Sequence, residues 1–157
     1  MPTPNEVKKQ VLRQYLLAYL NLSISELHPG TDIKLRWFHN VIADAIERTM
    51  FGAERRCIIN VGPRSLKSQI CSVSAVVWAL GRNPKLNVMV IAGSRELARD
   101  LRDRTWRLLK SARIRALYPG LPIYLRRPDY SVQAWGRGEL QRLRPEPDRT
   151  GGRYHHP

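Results

Sequence analysis

The feature that most constrains the fold is a series of three patterns in the middle of the chain. Residues 57–61 form a short apolar, β-branched run that is typical of a buried parallel strand. A Gly-Pro turn follows, and residues 67–80 then carry apolar side chains at helical spacing up to Gly81. A second apolar run occupies residues 86–92. The order strand, loop, helix, strand predicts a βαβ unit, and hence an α/β fold with a parallel sheet flanked by helices.

The loop between the first predicted strand and the helix has residue types that bind phosphate. Such a loop turns backbone N–H groups towards a phosphate, and its lysine and hydroxyl reach the phosphates and Mg²⁺ at a helix N-terminus. Lys67 and Ser68 fit these two positions. In the pattern G-x-x-x-x-G-K-[ST], however, Val61 and Leu66 stand where the two glycines belong. The residues alone leave two alternatives open, a phosphate-binding loop and a Lys-Ser pair on a surface turn.

Arg64 is a candidate catalytic residue because it lies three positions before Lys67. This spacing allows its guanidinium to face the terminal phosphate, either as a sensor of the γ-phosphate or as an arginine finger supplied in cis. A salt bridge or a contact to DNA explains the same residue equally well.

Amphipathic helices are predicted on both sides of this central unit. The periodic segments are residues 5–22, 37–51 and 95–115. Gly52 follows the second of them and predicts its end. Residues 124–135 are predicted as a strand or hairpin, whereas residues 139–157 are too rich in Pro, Gly and Arg to assign. We divide the chain into an N-terminal helical segment, residues 1–26, and a main domain, residues 27–157.

The charge of the chain limits its partners. Among 157 residues, 27 Lys and Arg stand against 13 Asp and Glu, a formal net charge of +14. Such an excess favours a polyanion, most plausibly nucleic acid, although a merely basic and soluble surface is the alternative. No stretch approaches the roughly 20 apolar residues of a spanning helix, and the N-terminus lacks a signal-peptide pattern. We therefore expect a cytoplasmic protein.

Cysteine and histidine give weak signals. Cys57 and Cys71 lie in a predicted strand and a predicted helix, and two cysteines are too few for a zinc cage. We expect both to be reduced, buried thiols. The pair His155 and His156 is interpreted as a solvated terminus, because no further metal ligands accompany it.

Residues 58–68, Ile-Ile-Asn-Val-Gly-Pro-Arg-Ser-Leu-Lys-Ser, resemble the Walker A segment of tailed-bacteriophage terminase large subunits. Forms such as Pro-Pro-Arg-Ser-Leu-Lys-Ser are familiar in that family, so Leu66 fits its pattern. Two positions depart from it, since Gly62 replaces a usual proline and Phe38 stands where a histidine often follows the tryptophan. Further blocks match in the same order within residues 25–154, namely residues 27–31, 37–45, 78–84, 90–94, 97–98, 117–120 and 150–154.

The resemblance implies the N-terminal portion of a P-loop ATPase domain, from a motor that threads viral DNA into a procapsid. It implies ATP and Mg²⁺ as cofactors. It also implies double-stranded DNA, a small terminase subunit and a portal ring as partners, and it is compatible with a homo-oligomer. The implied phosphate cradle is the backbone of Gly62, Pro63, Arg64, Ser65 and Leu66, with Lys67 on the β- and γ-phosphates, Ser68 on Mg²⁺ and Arg64 near the γ-phosphate.

The family's Walker B strand and nuclease domain, expected after residues 151–154, do not occur before Pro157. Phosphoryl transfer depends on a carboxylate that holds Mg²⁺. We therefore expect severely impaired ATP turnover, no DNA cleavage, and an incomplete sheet whose exposed edge lowers solubility. Two rival hypotheses are a non-catalytic basic DNA-binding or interaction fragment from a decayed prophage, and a helicase-like ATPase whose other motifs come from another chain.

Overall fold

The computed structural model describes residues 3–121, which fold as helices around one hydrophobic core. Seven α-helices and one π-helical turn make up the regular structure of this part. In chain order they are α1 (Pro4–Gln14), α2 (Leu16–Leu27), α3 (Trp37–Phe51), α4 (Lys67–Gln69), the π turn (Ile70–Ser74), α5 (Ala75–Arg82), α6 (Arg95–Lys110) and α7 (Ala112–Leu117).

The predicted parallel sheet of an α/β fold is wrong for this part of the chain, because residues 3–121 contain no strand. Residues 57–61 and 86–92 have no regular secondary structure, and no backbone hydrogen bond joins them. Apolar, β-branched residues form a strand only where neighbouring strands pair with their N–H and C=O groups. In residues 3–121 the core is enclosed by helices, and neither apolar run has a neighbouring strand to pair with. The predicted βαβ unit is therefore wrong as well.

The two apolar runs contact the core along one side only. Ile59 and Val61 pack against it, whereas Ile58, which precedes them, is 96% exposed. In the second run, Met89 is 84% and Ile91 77% exposed. The runs predicted to be buried strands are therefore only partly buried, and Ile58, Met89 and Ile91 lie in solvent.

The N-terminal segment is helical as predicted, but it forms two helices instead of one. Residues 5–22 were expected to form one helix, but the chain breaks at Tyr15, whose φ of −111° and ψ of 121° are extended. Thr3 begins α1 with a capping box, in which its hydroxyl accepts from the Glu6 N–H and its own N–H donates to the Glu6 carboxylate. The side chains of Leu16, Tyr19 and Leu20 in α2 are fully buried.

The helices predicted at 37–51 and 95–115 are confirmed, with one interruption. Helix α3 has the expected bounds and ends at the cap residue Gly52. The second segment divides at Ser111, whose hydroxyl accepts from the Ile114 N–H and so begins α7. The same hydroxyl lies 2.6 Å from a Glu26 carboxylate oxygen, and Arg113 lies 2.8 Å from the other. These contacts attach the start of α7 to α2.

Within residues 3–121, the helix predicted at 67–80 contains many of the most buried side chains. Helix α4, the π turn and α5 follow one another without a break, because the residues at their junctions keep right-handed helical geometry. Ile70, Val73, Val77 and Trp78 have no exposed surface. A helix that is apolar on all sides is typical of a core element.

Gly81 has a different role from the predicted one. The sequence places it at the end of the helix, but α5 continues to Arg82. A Cβ atom on Gly81 would lie 2.6 Å from Cγ of the Tyr118 ring. The glycine therefore allows the ring of Tyr118 to pack directly on the backbone of α5.

The two cysteines differ in their exposure. Cys57 is exposed and Cys71 partly buried, so the expected burial of both thiols is wrong for Cys57. Burial raises the pKa of the Cys71 thiol.

No helix within residues 3–121 is long and apolar enough to cross a membrane. The strand or hairpin at 124–135, the block at 150–154 and the histidines at 155–156 lie outside the described residues.

We predict that Gly81→Ala destabilises the protein by about 1–3 kcal/mol, because the added methyl group overpacks against the Tyr118 ring. In an unobstructed helix the same change would stabilise by roughly 0.5–1 kcal/mol, so the sign of the effect distinguishes the two cases. Urea unfolding followed by circular dichroism measures it. Gly93→Ala is the control, since a Cβ there meets no atom within 4 Å. An unchanged or increased stability of Gly81→Ala would contradict the prediction.

We also predict that the double change Ile58→Lys and Ile91→Lys reduces self-association. Both side chains are largely exposed, so the free energy of unfolding should change by less than about 0.5 kcal/mol for each. Sedimentation velocity over a range of concentrations measures the self-association. Ile59→Lys is the contrasting variant, because Ile59 packs against the core and its replacement should destabilise the fold. A wild-type protein that stays monomeric at high concentration would contradict the expected role of these two exposed side chains.

Candidate functional site

The predicted phosphate loop forms one side of a cavity of about 620 Å³. Ligand-binding pockets have volumes of roughly 300–1,000 Å³, so the size suits a small molecule. Two separate parts of the chain line it. The lining residues are Ile33, Lys34, Arg36, Phe38 and His39 before and at the start of α3, and all residues from Val61 to Leu66.

The loop has an unusual backbone immediately before α4. Arg64 and Leu66 have φ values of 60° and 58°, in the left-handed region that side chains other than glycine seldom adopt. Leu66 occupies the position of the second glycine in the general phosphate-loop pattern. The backbone conformation at this position is thus the one that glycine favours, although leucine stands there.

Backbone donors in the loop are free. Within residues 3–121, the N–H groups of Arg64 and Leu66 donate to no backbone acceptor and to no side chain. Backbone N–H groups in turns with left-handed residues make concave sites for anions. The N–H groups of the first helical turn lack partners within the helix in the same way. The loop and the start of α4 therefore present several donors for a phosphate.

Lys67 and Ser68 are placed at the edge of the site. Both are exposed and occupy the first two positions of α4. Neither of them lines the cavity, because Leu66 is the last residue of the loop that does so. Of the seven predicted site residues, the five from Gly62 to Leu66 therefore come together in the cavity wall, and the other two follow directly at the helix N-terminus.

The cavity is electropositive. Lys34, Arg36 and Arg64 line it, and none of the lining residues is acidic. No ion pair within residues 3–121 involves these three cations or Lys67. A cleft lined by one sign of charge concentrates counter-ions, so this one attracts anions.

A second cavity, of about 480 Å³, differs because its cations already have contacts. Arg13 donates to the Leu117 carbonyl at 2.7 Å. The Arg82 guanidinium lies 4.3 Å from the centre of the Phe51 ring and 4.8 Å from that of Trp78. The free cations of the first cavity make it the stronger candidate site.

A buried polar network lies behind the loop. The Gln69 amide donates to the Ser74 hydroxyl at 3.2 Å, and Ser74 shares a hydrogen bond of 2.8 Å with Ser23 of α2. The amide oxygen of Gln69 is buried and has no partner among the described residues. The network fixes the first turn of the buried helix to α2, and with it the end of the loop.

The donors of this site suit an anion better than a metal ion. The free N–H groups and the unpaired cations complement a chain of phosphates. Within residues 3–121, no group of three or more His, Cys, Asp or Glu side chains could hold a metal. A Mg²⁺ ion would therefore depend on phosphate oxygens and on the Ser68 hydroxyl.

Lys34, Arg36 and His39 line the cavity, and sequence reasoning missed them. One local signal was present, because apolar and basic residues alternate over residues 33–36. That pattern indicates which side chains point away from the core. It does not predict that they lie beside the loop of residues 61–66.

Comparison with protein-family models, with curated proteins and with solved structures finds no match to the chain.

We predict that Arg64→Gly is more stable than Arg64→Ala by about 1 kcal/mol, because glycine adopts the left-handed conformation at this position without strain. Both variants lose the same side chain, so the comparison isolates the backbone. Chemical denaturation at neutral pH measures the difference. The same pair of changes at the exposed helical residue Arg99 should reverse the order, since alanine is favoured within a helix. Equal stability of the two Arg64 variants would contradict the strained conformation.

Proposed function

We propose that residues 62–68 bind the phosphates of ATP, and that the chain is the ATP-binding part of a phage terminase large subunit. The observation that carries the proposal is the left-handed backbone at Arg64 and Leu66, immediately before a helix that begins with Lys67 and Ser68. The order of the terminase-like blocks along the sequence supports the family. The motor of that family packages viral DNA into procapsids.

The roles of the residues follow from their positions. The free N–H groups of Arg64 and Leu66 would donate hydrogen bonds to phosphate oxygens. Lys67 would bind the β- and γ-phosphates, and the Ser68 hydroxyl would contact Mg²⁺. Arg64 lines the cavity and has no carboxylate partner within residues 3–121, which supports a role near the γ-phosphate.

The proposal concerns binding rather than hydrolysis. Phosphoryl transfer in P-loop enzymes needs a carboxylate for Mg²⁺ and a group that orients the attacking water. None of the residues that line the cavity is acidic. The residues that line the cavity therefore support binding of a nucleotide, and turnover would need a carboxylate from outside that lining.

Double-stranded DNA is the proposed polymer partner. Arg95, Arg99 and Arg107 of α6 are exposed and take part in no ion pair within residues 3–121. With a net charge of +14, the chain should bind phosphate backbones with little sequence preference. This contact is also what the alternative, a non-catalytic DNA-binding fragment, would use.

We predict that Lys67→Ala lowers the affinity for ATP about 10- to 100-fold, because charged hydrogen bonds contribute roughly 1.5–3 kcal/mol. Isothermal titration calorimetry of the full chain with Mg-ATP measures the affinity. Lys85→Ala removes another exposed lysine and is the control that should leave it unchanged. Lys67 is itself exposed, so the variant should fold. If Lys67→Ala binds ATP as the wild type does, residues 62–68 are not a nucleotide site.

A further inference from the structure

The cavity has a second cationic wall in residues 33–36. Ile33 and Leu35 are partly buried and pack against the core, whereas Lys34 and Arg36 are exposed and line the cavity. In extended chain, successive side chains point to opposite sides. The apolar members thus anchor this segment, and their burial holds the two cations towards the loop.

These cations have no carboxylate to neutralise them. Neither Lys34 nor Arg36 takes part in an ion pair within residues 3–121, and the third cation of the cavity, Arg64, comes from the loop. Three like charges around one cavity repel each other unless an anion enters. An anion with several charges relieves this repulsion more than an anion with one.

His39 fixes the second wall and adds a donor without a partner. The Arg36 N–H donates to His39 Nδ1 at 2.7 Å, which places the hydrogen of the neutral ring on Nε2. His39 also lines the cavity and is only 3% exposed. Its Nε2 is buried and has no hydrogen-bond partner within the described residues. The Nδ1 contact therefore holds the Arg36 backbone in place, whereas the buried Nε2 has almost no surface open to a ligand in the cavity.

We infer that Lys34 and Arg36 bind the terminal phosphate of a nucleoside triphosphate and make the site selective for the triphosphate over the diphosphate. The inference rests on the proposed function, because it assumes that residues 62–68 hold the β-phosphate and only one side of the γ-phosphate, through Lys67 and Arg64. The backbone N–H groups of the loop then bind the phosphates of both the triphosphate and the diphosphate. The wall of residues 33–36 serves only the ligand whose phosphate chain extends to it.

The length of the phosphate chain makes this selectivity possible. The donors of the loop and those of residues 33–36 lie on separate parts of the chain around one cavity of about 620 Å³. A ligand gains from both sets only when it presents oxygens to each of them. Bidentate contact of a guanidinium with phosphate is among the strongest of the charged hydrogen bonds, so Arg36 should have the larger share of the effect.

The test compares the full chain with the double variant Lys34→Gln and Arg36→Gln. Isothermal titration calorimetry with ATP and with ADP gives the ratio of the two affinities. The double variant should lose about tenfold or more in affinity for ATP and no more than about twofold for ADP. The matched control is Lys8→Gln with Lys85→Gln, which removes two exposed lysines outside the cavity and should leave the ratio unchanged.

The Lys67→Ala variant separates this inference from the proposed function. If Lys67→Ala weakens both nucleotides but the Lys34 and Arg36 variant keeps the wild-type ratio, the inference is wrong and the nucleotide site stands. If the wild type binds neither nucleotide, both are wrong. If the double variant loses affinity for a 20-base-pair DNA duplex and not for ATP, the two cations bind DNA, and the inference is overturned. Far-ultraviolet circular dichroism confirms that each variant is folded.

Discussion

Burial of one helix on all sides is the constraint on which the rest of the structure depends. Ile70, Val73 and Trp78 have no exposed surface, and the other helices pack around them in a single core. A helix in this position cannot shift without opening cavities, which are costly in a close-packed interior. Because the candidate phosphate loop ends where this helix begins, the core determines the place of the candidate site.

The sequence was informative about helices and misleading about the sheet, for a physical reason. Helix α3 could be predicted because its hydrogen bonds close within the segment, and its apolar face and Gly52 are visible locally. A strand depends on partners that are distant along the chain. Isoleucine is common in buried strands, yet Ile58 and Ile91 are both exposed in the described part of the chain. An apolar composition alone therefore does not show that a partner strand is present.

Half of the candidate site was predictable in the same way. Lys67 and Ser68 lie at the start of a helix that periodicity reveals, and Leu66 has the backbone conformation that the motif requires of a glycine. Lys34 and Arg36 were not predictable, because basic residues in an irregular segment resemble any solvated surface. Only the packing of Ile33 and Leu35 against the core brings them to the loop.

The π turn between α4 and α5 determines the direction in which the loop leaves the core. A π turn contains one residue more than an α-helical turn, and each residue of a helix corresponds to about 100° of rotation. If the same number of residues formed a regular α-helix instead of a π turn, Lys67 would be rotated by about that angle relative to Trp78. The number of residues in this turn is therefore as much a property of the candidate site as the identity of its lysine.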